Sequence, residues 1–78
     1  MTKYNRIYSE AKRWGCGASE AHSVAAQMDN MLNFTGDDFD LNDVINNLHI
    51  ALRGEGWEEE DIAEVEGLAM DIFDILSD

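Results

Sequence analysis

Apolar residues recur along this chain at intervals of three and four, the spacing that gathers them on one face of a helix. Tyr4, Ile7, Tyr8, Ala11 and Trp14 predict a first helix over Lys3 to Trp14, with Thr2 as its cap. Gly15 and Gly17 end it, and Ser19 is placed to cap the next. Ala21, Val24, Ala25, Met28, Met31 and Leu32 predict a second helix over Glu20 to Leu32, whose outer face carries uncharged groups and only Asp29. Asn33 to Asp40 reads as a loop broken by Gly36, with Phe34 and Phe39 folding inward to close the core. Asp40, with Asp43 three residues on, is a good N-cap for a third helix over Leu41 to Arg53 that buries Leu41, Val44, Ile45, Leu48, Ala51 and Leu52 and leaves Ile50 outside. After a turn at Gly54, Glu55 and Gly56, the run from Trp57 to Asp78 reads as one long helix with Ile62, Val65, Ala69, Ile72, Phe73 and Leu76 inward.

No alternating stretch is long enough for a strand, and no internal repeat or proline-rich linker divides the chain. The pattern therefore predicts a single domain over 1–78: all-α, a compact bundle of about four short helices joined by short connections. Its 78 residues suffice for one core that buries about 60% of the surface exposed by the unfolded chain.

Charge changes the picture. The chain carries 17 acidic and 5 basic residues, a net charge of −12. Residues 1–35 hold four basic against three acidic side chains, whereas residues 36–78 hold only Arg53 against fourteen acids. That imbalance opposes binding to nucleic acid or anionic membrane and favours a basic partner. No apolar run reaches the length of a membrane span, and no signal peptide is evident, so a cytoplasmic location is expected. The one cysteine, Cys16, excludes an intramolecular disulfide framework.

On the predicted final helix, Glu60, Glu64, Asp71, Asp74 and Asp78 fall within an arc of about 80° opposite the apolar face, a stripe roughly 27 Å long. Glu58 to Asp61 suit the positive end of the helix dipole; Asp71, Asp74 and Asp78 oppose it at the other end. A solvated helix ordinarily interleaves basic residues with its acids, yet Trp57 to Asp78 contains none. Like-charge pairs such as Glu60 with Glu64 cost a few tenths of a kcal/mol each, so stability does not explain the stripe. Leu68, Met70 and Ile75 lie on the flanks of the same helix, where any that stay exposed would add apolar contact to the charge.

Other chemistry is thinner. Cys16 lies between two glycines before a helix start, with His22 the nearest histidine, a conceivable nucleophile pair that lacks an orienting third residue and an oxyanion device. Asp38, Asp40 and Asn42 begin like a calcium loop, but the sixth position is Asp43 where glycine is needed and the twelfth is His49 where glutamate is needed. Two histidines and one cysteine, widely spaced, do not make a zinc site. Acyl carrier proteins share the size and acidity; their Asp-Ser-Leu motif is absent, Ser19 standing in Gly17-Ala18-Ser19-Glu20-Ala21. No catalytic residue, metal or cofactor is expected.

Rows of carboxylates on a small rigid scaffold resemble the phosphate rows of a nucleic acid, which basic grooves bind through counterion release. In size, charge and compactness the chain resembles the small acidic proteins with which bacteriophages and mobile elements disable host defence, including DNA-mimicking anti-restriction proteins and anti-CRISPR proteins. That resemblance implies a non-catalytic, stoichiometric inhibitor that blocks the nucleic-acid site of a host defence complex or nuclease, in the host bacterial cytoplasm. The residues expected to meet the Lys and Arg of such a partner are Glu60, Glu64, Asp71 and Asp74 with the loop residues Asp37, Asp38 and Asp40. The alternative is a regulatory or assembly adaptor, a homodimer that binds through Ile50, Leu68, Met70 and Ile75, with the acids only conferring solubility. Pairing of Lys3, Arg6, Lys12 and Arg13 with the final helix would weaken the first reading.

Overall fold

In the computed structural model, which describes residues 1–78, all regular structure is helical: α1 (Lys3–Arg13), α2 (Ala18–Thr35), α3 (Leu41–Gly54), α4 (Glu59–Glu64) and α5 (Gly67–Ser77). The Thr2 hydroxyl accepts the Asn5 N–H and caps α1 as the sequence predicts. Gly15, at φ 99°, makes the reversal into α2, a backbone region that side-chain-bearing residues rarely enter. The N-cap of α2 is Gly17, which offers no side chain; Ser19 lies inside the helix and bonds to Glu55 of the α3–α4 turn instead. α2 also runs further at both ends than Glu20 to Leu32. At α3 the Asp40 carboxylate accepts the Asp43 N–H and the Asp43 carboxylate accepts the Asp40 N–H, a reciprocal cap worth about 1 kcal/mol.

The long helix expected over Trp57 to Asp78 is broken. Val65 (φ −109°, ψ 15°) leaves the helical region, and the chain turns through Glu66 before α5 begins at Gly67. A straight helix over 57–78 would be about 33 Å long, longer than the molecule's greatest extent of 29 Å. Bending lets α4 lie against α3 while α5 lies against both α1 and α3. The break preserves the inward register, so Ile62, Val65, Ala69, Ile72 and Leu76 all reach the core as the periodicity predicts. The bundle of about four helices is thus roughly as expected, its last member divided into α4 and α5 to give five.

One apolar cluster fills the centre. Ile7, Val24, Met28, Val44, Leu48, Leu52, Ile62, Leu68 and Ile72 are all fully buried, and no charged or polar side chain is buried among them. At about 25 cal/mol per Å² of apolar surface removed from water, each of these aliphatic side chains contributes about 1.5–3 kcal/mol. Leu68 and Ile75 belong to this cluster rather than to the surface. Phe39 closes it from the α2–α3 loop, edge-on to Phe73 with ring centroids 5.8 Å apart. Phe34 does not fold inward: as the penultimate residue of α2 it is 91% exposed. Trp14 is the C-cap of α1 and is also partly outside, its indole laid across the start of α5.

Candidate functional site

The acidic half of the chain forms its surface from four segments: the α2–α3 loop, the approach to α4, α4 itself and the outer side of α5. The basic residues were the threat to that surface, and the structure shows where they go. Arg6 crosses from α1 to Asp78 at 2.9 Å, and Lys3 Nζ donates to the Leu76 carbonyl oxygen at 2.9 Å. Arg13 pairs with Glu10 on its own helix. Arg53, at the end of α3, pairs with Glu59 at 2.6 Å and holds that carboxyl below its usual range. His49 stands between Glu59 and Glu66, at 3.3 Å and 3.9 Å, and bridges α3 to the bend between α4 and α5.

Helix α1 therefore removes one end of the expected stripe. Asp78 is ion-paired, and the Asp71 carboxylate accepts the Trp14 Nε1–H at 2.9 Å. Because α4 and α5 run along different axes, Glu60 and Glu64 belong to one ridge and Asp71 and Asp74 to another. A continuous 27 Å line of carboxylates is not present.

What remains is a curved surface. Of the fourteen acids in residues 36–78, Glu59, Glu66 and Asp78 have a basic partner. Asp40 and Asp43 cap α3, Glu55 is held by two serines, and Asp71 by Trp14. The other seven, Asp37, Asp38, Glu58, Glu60, Asp61, Glu64 and Asp74, are exposed, and their carboxylates form no hydrogen bond or ion pair within the molecule. Among the expected contact residues, Glu60, Glu64, Asp74, Asp37 and Asp38 are thus unengaged, whereas Asp71 and Asp40 have structural bonds. Glu58 and Asp61 join them on the strength of their exposure. Met70, 61% exposed, lies one helical turn from both Glu66 and Asp74 and sets an apolar group within the acidic ridge of α5.

The apolar contact expected for an adaptor is reduced. Leu68 and Ile75 are in the core, which leaves Ile50 and Met70 from that set and adds Phe34.

Cys16 is buried, and burial, reinforced by nearby Glu20, raises its thiol pKa, the opposite of what a nucleophile needs. His22 is bonded to the Tyr4 hydroxyl through Nδ1 and stacks edge-on to that ring. Ser19 and Ser23 donate to Glu55 at 2.6 and 2.9 Å and lower its pKa. No group of three or more His, Cys, Asp or Glu side chains is arranged to hold a metal ion, and no helix is long and apolar enough to cross a membrane.

Comparison with known proteins finds no matching family, no similar curated protein and no similar solved structure.

Proposed function

We propose that this chain is a non-catalytic acidic inhibitor that occupies a basic, nucleic-acid-binding surface of a host defence complex or nuclease, in the manner of anti-CRISPR or DNA-mimicking proteins. The observation that carries the proposal is the set of seven exposed carboxylates that none of Lys3, Arg6, Arg13 and Arg53 engages. Pairing to arginine within the acidic half is confined to Asp78 and Glu59, so the outward field stays strongly negative. Lys and Arg lining a phosphate groove would find in α4 and α5 two short convex ridges rather than one rod. Such a surface steers a basic partner at long range, and Met70 supplies apolar contact once the two bodies meet.

The test is capture of partners from bacterial lysate on the immobilised protein, washed first at low and then at high salt. Recovery of a nucleic-acid-binding protein that is released by salt or by added DNA is the expected result. The variant Glu60→Lys, Asp61→Lys, Glu64→Lys, Asp74→Lys should weaken capture at least about a hundredfold, equivalent to about 2.7 kcal/mol, with helix content unchanged by circular dichroism. Asp71→Asn, which alters a carboxylate already bonded to Trp14, should have a much smaller effect. Undiminished capture by the four-lysine variant would remove the role assigned to these acids.

A further inference from the structure

Helix α1 lies antiparallel along one flank of α5, with Lys3 at the Leu76 carbonyl oxygen and Trp14 at Gly67. That flank carries Gly67, Asp71, Asp74 and Asp78 at intervals of four, three and four, the spacing of neighbours on one helix face. α1 engages it at both ends, through Trp14 on Gly67 and Asp71 and through Arg6 on Asp78. Asp74 stands between them without a partner, and the α1 side chain one turn before Trp14 is Glu10, itself an acid.

Both contacts of Trp14 use an edge of its ring. Nε1, which donates to Asp71 Oδ2 at 2.9 Å, and Cζ2 and Cη2, the atoms nearest Gly67, belong to the same long edge of the indole. That edge therefore runs along the first turn of α5, from residue 71 back to residue 67, and neither contact takes up a π face. The aromatic pairs of the molecule are Tyr4 with His22 and Phe39 with Phe73, so no other ring stacks on Trp14. It keeps 38% of its surface exposed. The ring is nonetheless seated, because it occupies the space that a Cβ on Gly67 would need. On the carboxylate, Oδ1 of Asp71 accepts no hydrogen bond. The cations in the last turn of α1 do not fill this place: Arg13 pairs with Glu10, and Lys12 lies about 160° round the helix from Trp14.

We infer that the exposed indole of Trp14, with Asp71 and Asp74, forms a seat for one arginine side chain of the basic partner, an inference that rests on the acidic-surface reading above. A guanidinium laid on the indole meets the negative face of the ring, while its planar fork donates to Asp71 Oδ1 and, one turn along, to Asp74. The bond from Trp14 orients the Asp71 carboxylate beforehand, and because the indole N–H is neutral it leaves that negative charge for the incoming cation. Lysine fits less well, since its ammonium is a compact, strongly hydrated point charge with no flat surface to stack. The molecule closes the other end of the same flank with an arginine of its own, Arg6 on Asp78. Tryptophan and arginine are also the side chains on which binding energy concentrates at interfaces. At this point the surface selects arginine, whereas its other free acids answer to positive charge alone.

Hexa-arginine and hexa-lysine peptides at low salt test the seat directly. With Trp57→Phe as background, Trp14 supplies the single indole N–H resonance and the whole of the tryptophan emission. Hexa-arginine should shift that resonance and quench the emission, and hexa-lysine should leave both nearly unchanged although it binds. Trp14→Leu should lower the preference for arginine over lysine about two- to fivefold, the worth of an exposed cation–π contact. Asp71→Asn, which keeps the ring, should lower it as well, and circular dichroism checks that both variants retain the parent's helix content. An indole untouched by bound hexa-arginine, or an arginine preference that survives Trp14→Leu, would overturn the inference and leave the acidic-surface reading standing. Failure of both peptides to bind would instead count against that reading, and the arginine seat would fall with it.

Discussion

At the scale of single residues, the side chains that do most to organise this surface are polar ones whose bonds the sequence does not announce. Glu55 is an example: as part of Gly54-Glu55-Gly56 it reads as a turn residue, yet two serines from α2 converge on its carboxylate. Those bonds lower its pKa below the usual 4.5. A carboxyl depressed in the folded state adds stability above its unfolded pKa and loses that contribution as pH falls through the folded value. Glu55→Gln should therefore be less stable than the parent at pH 7, and the gap should close as pH drops below about 4.5, measured by urea denaturation between pH 3 and 7. A gap independent of pH would mean that the serines serve Glu55 only as neutral hydrogen-bond donors. By contrast, Thr2, Asp40 and Asp43 were legible as caps, because a cap acts on backbone groups three residues away and needs no knowledge of the fold. Phe34 and Phe39 show the limit of that legibility. Both sit in or beside the same connection, and only tertiary packing sends Phe39 to Phe73 and Phe34 to solvent.

At the scale of helices, periodicity placed Ile62, Val65, Ala69, Ile72 and Leu76 inward but left Leu68 and Ile75 on the flanks, though both are buried, and it gave no sign that 57–78 lies on two axes. An inward register survives a bend of this kind, so the pattern of Ile62, Val65, Ala69, Ile72 and Leu76 carries no trace of it. The signal present was Gly67, a poor helix-interior residue, two positions after a β-branched valine. Its role is steric as well. A Cβ at position 67 would stand 2.6 Å from Trp14 Cη2, so the indole occupies the space that any side chain would need. Gly67→Ala should swing the indole outward and break its bond to Asp71. Stability should change by less than about 1 kcal/mol, because the better helix propensity of alanine offsets the lost hydrogen bond. In a Trp57→Phe background, where Trp14 is the only indole, emission should shift to longer wavelength; an unshifted spectrum would show that the ring accommodates the methyl in place. Freed Asp71 would then join Asp74 as an available carboxylate, which links this packing detail to the strength of the acidic surface.

At the scale of the whole molecule, composition gave the sign of the surface and the fold gave its distribution. The split between a near-neutral first half and an acidic second half was readable from residue counts, and in the folded chain the unengaged acids of the second half lie on α4, α5 and the connections at Asp37, Asp38 and Glu58. What counting missed is that α1 reaches across to α5, so that Arg6 neutralises Asp78 although 72 positions separate them. That same crossing, with Lys3 bonded to the Leu76 carbonyl oxygen, puts the beginning of α1 beside the finish of α5. The backbone can therefore be closed into a ring by a few glycine and serine residues between Asp78 and Met1, and reopened at the exposed Gly36–Asp37 peptide bond without cutting any helix. Such a circular permutant should fold to the same helix content and melt cooperatively. Its new ends would emerge beside Phe39, a convenient place to attach a probe at the edge of the acidic surface.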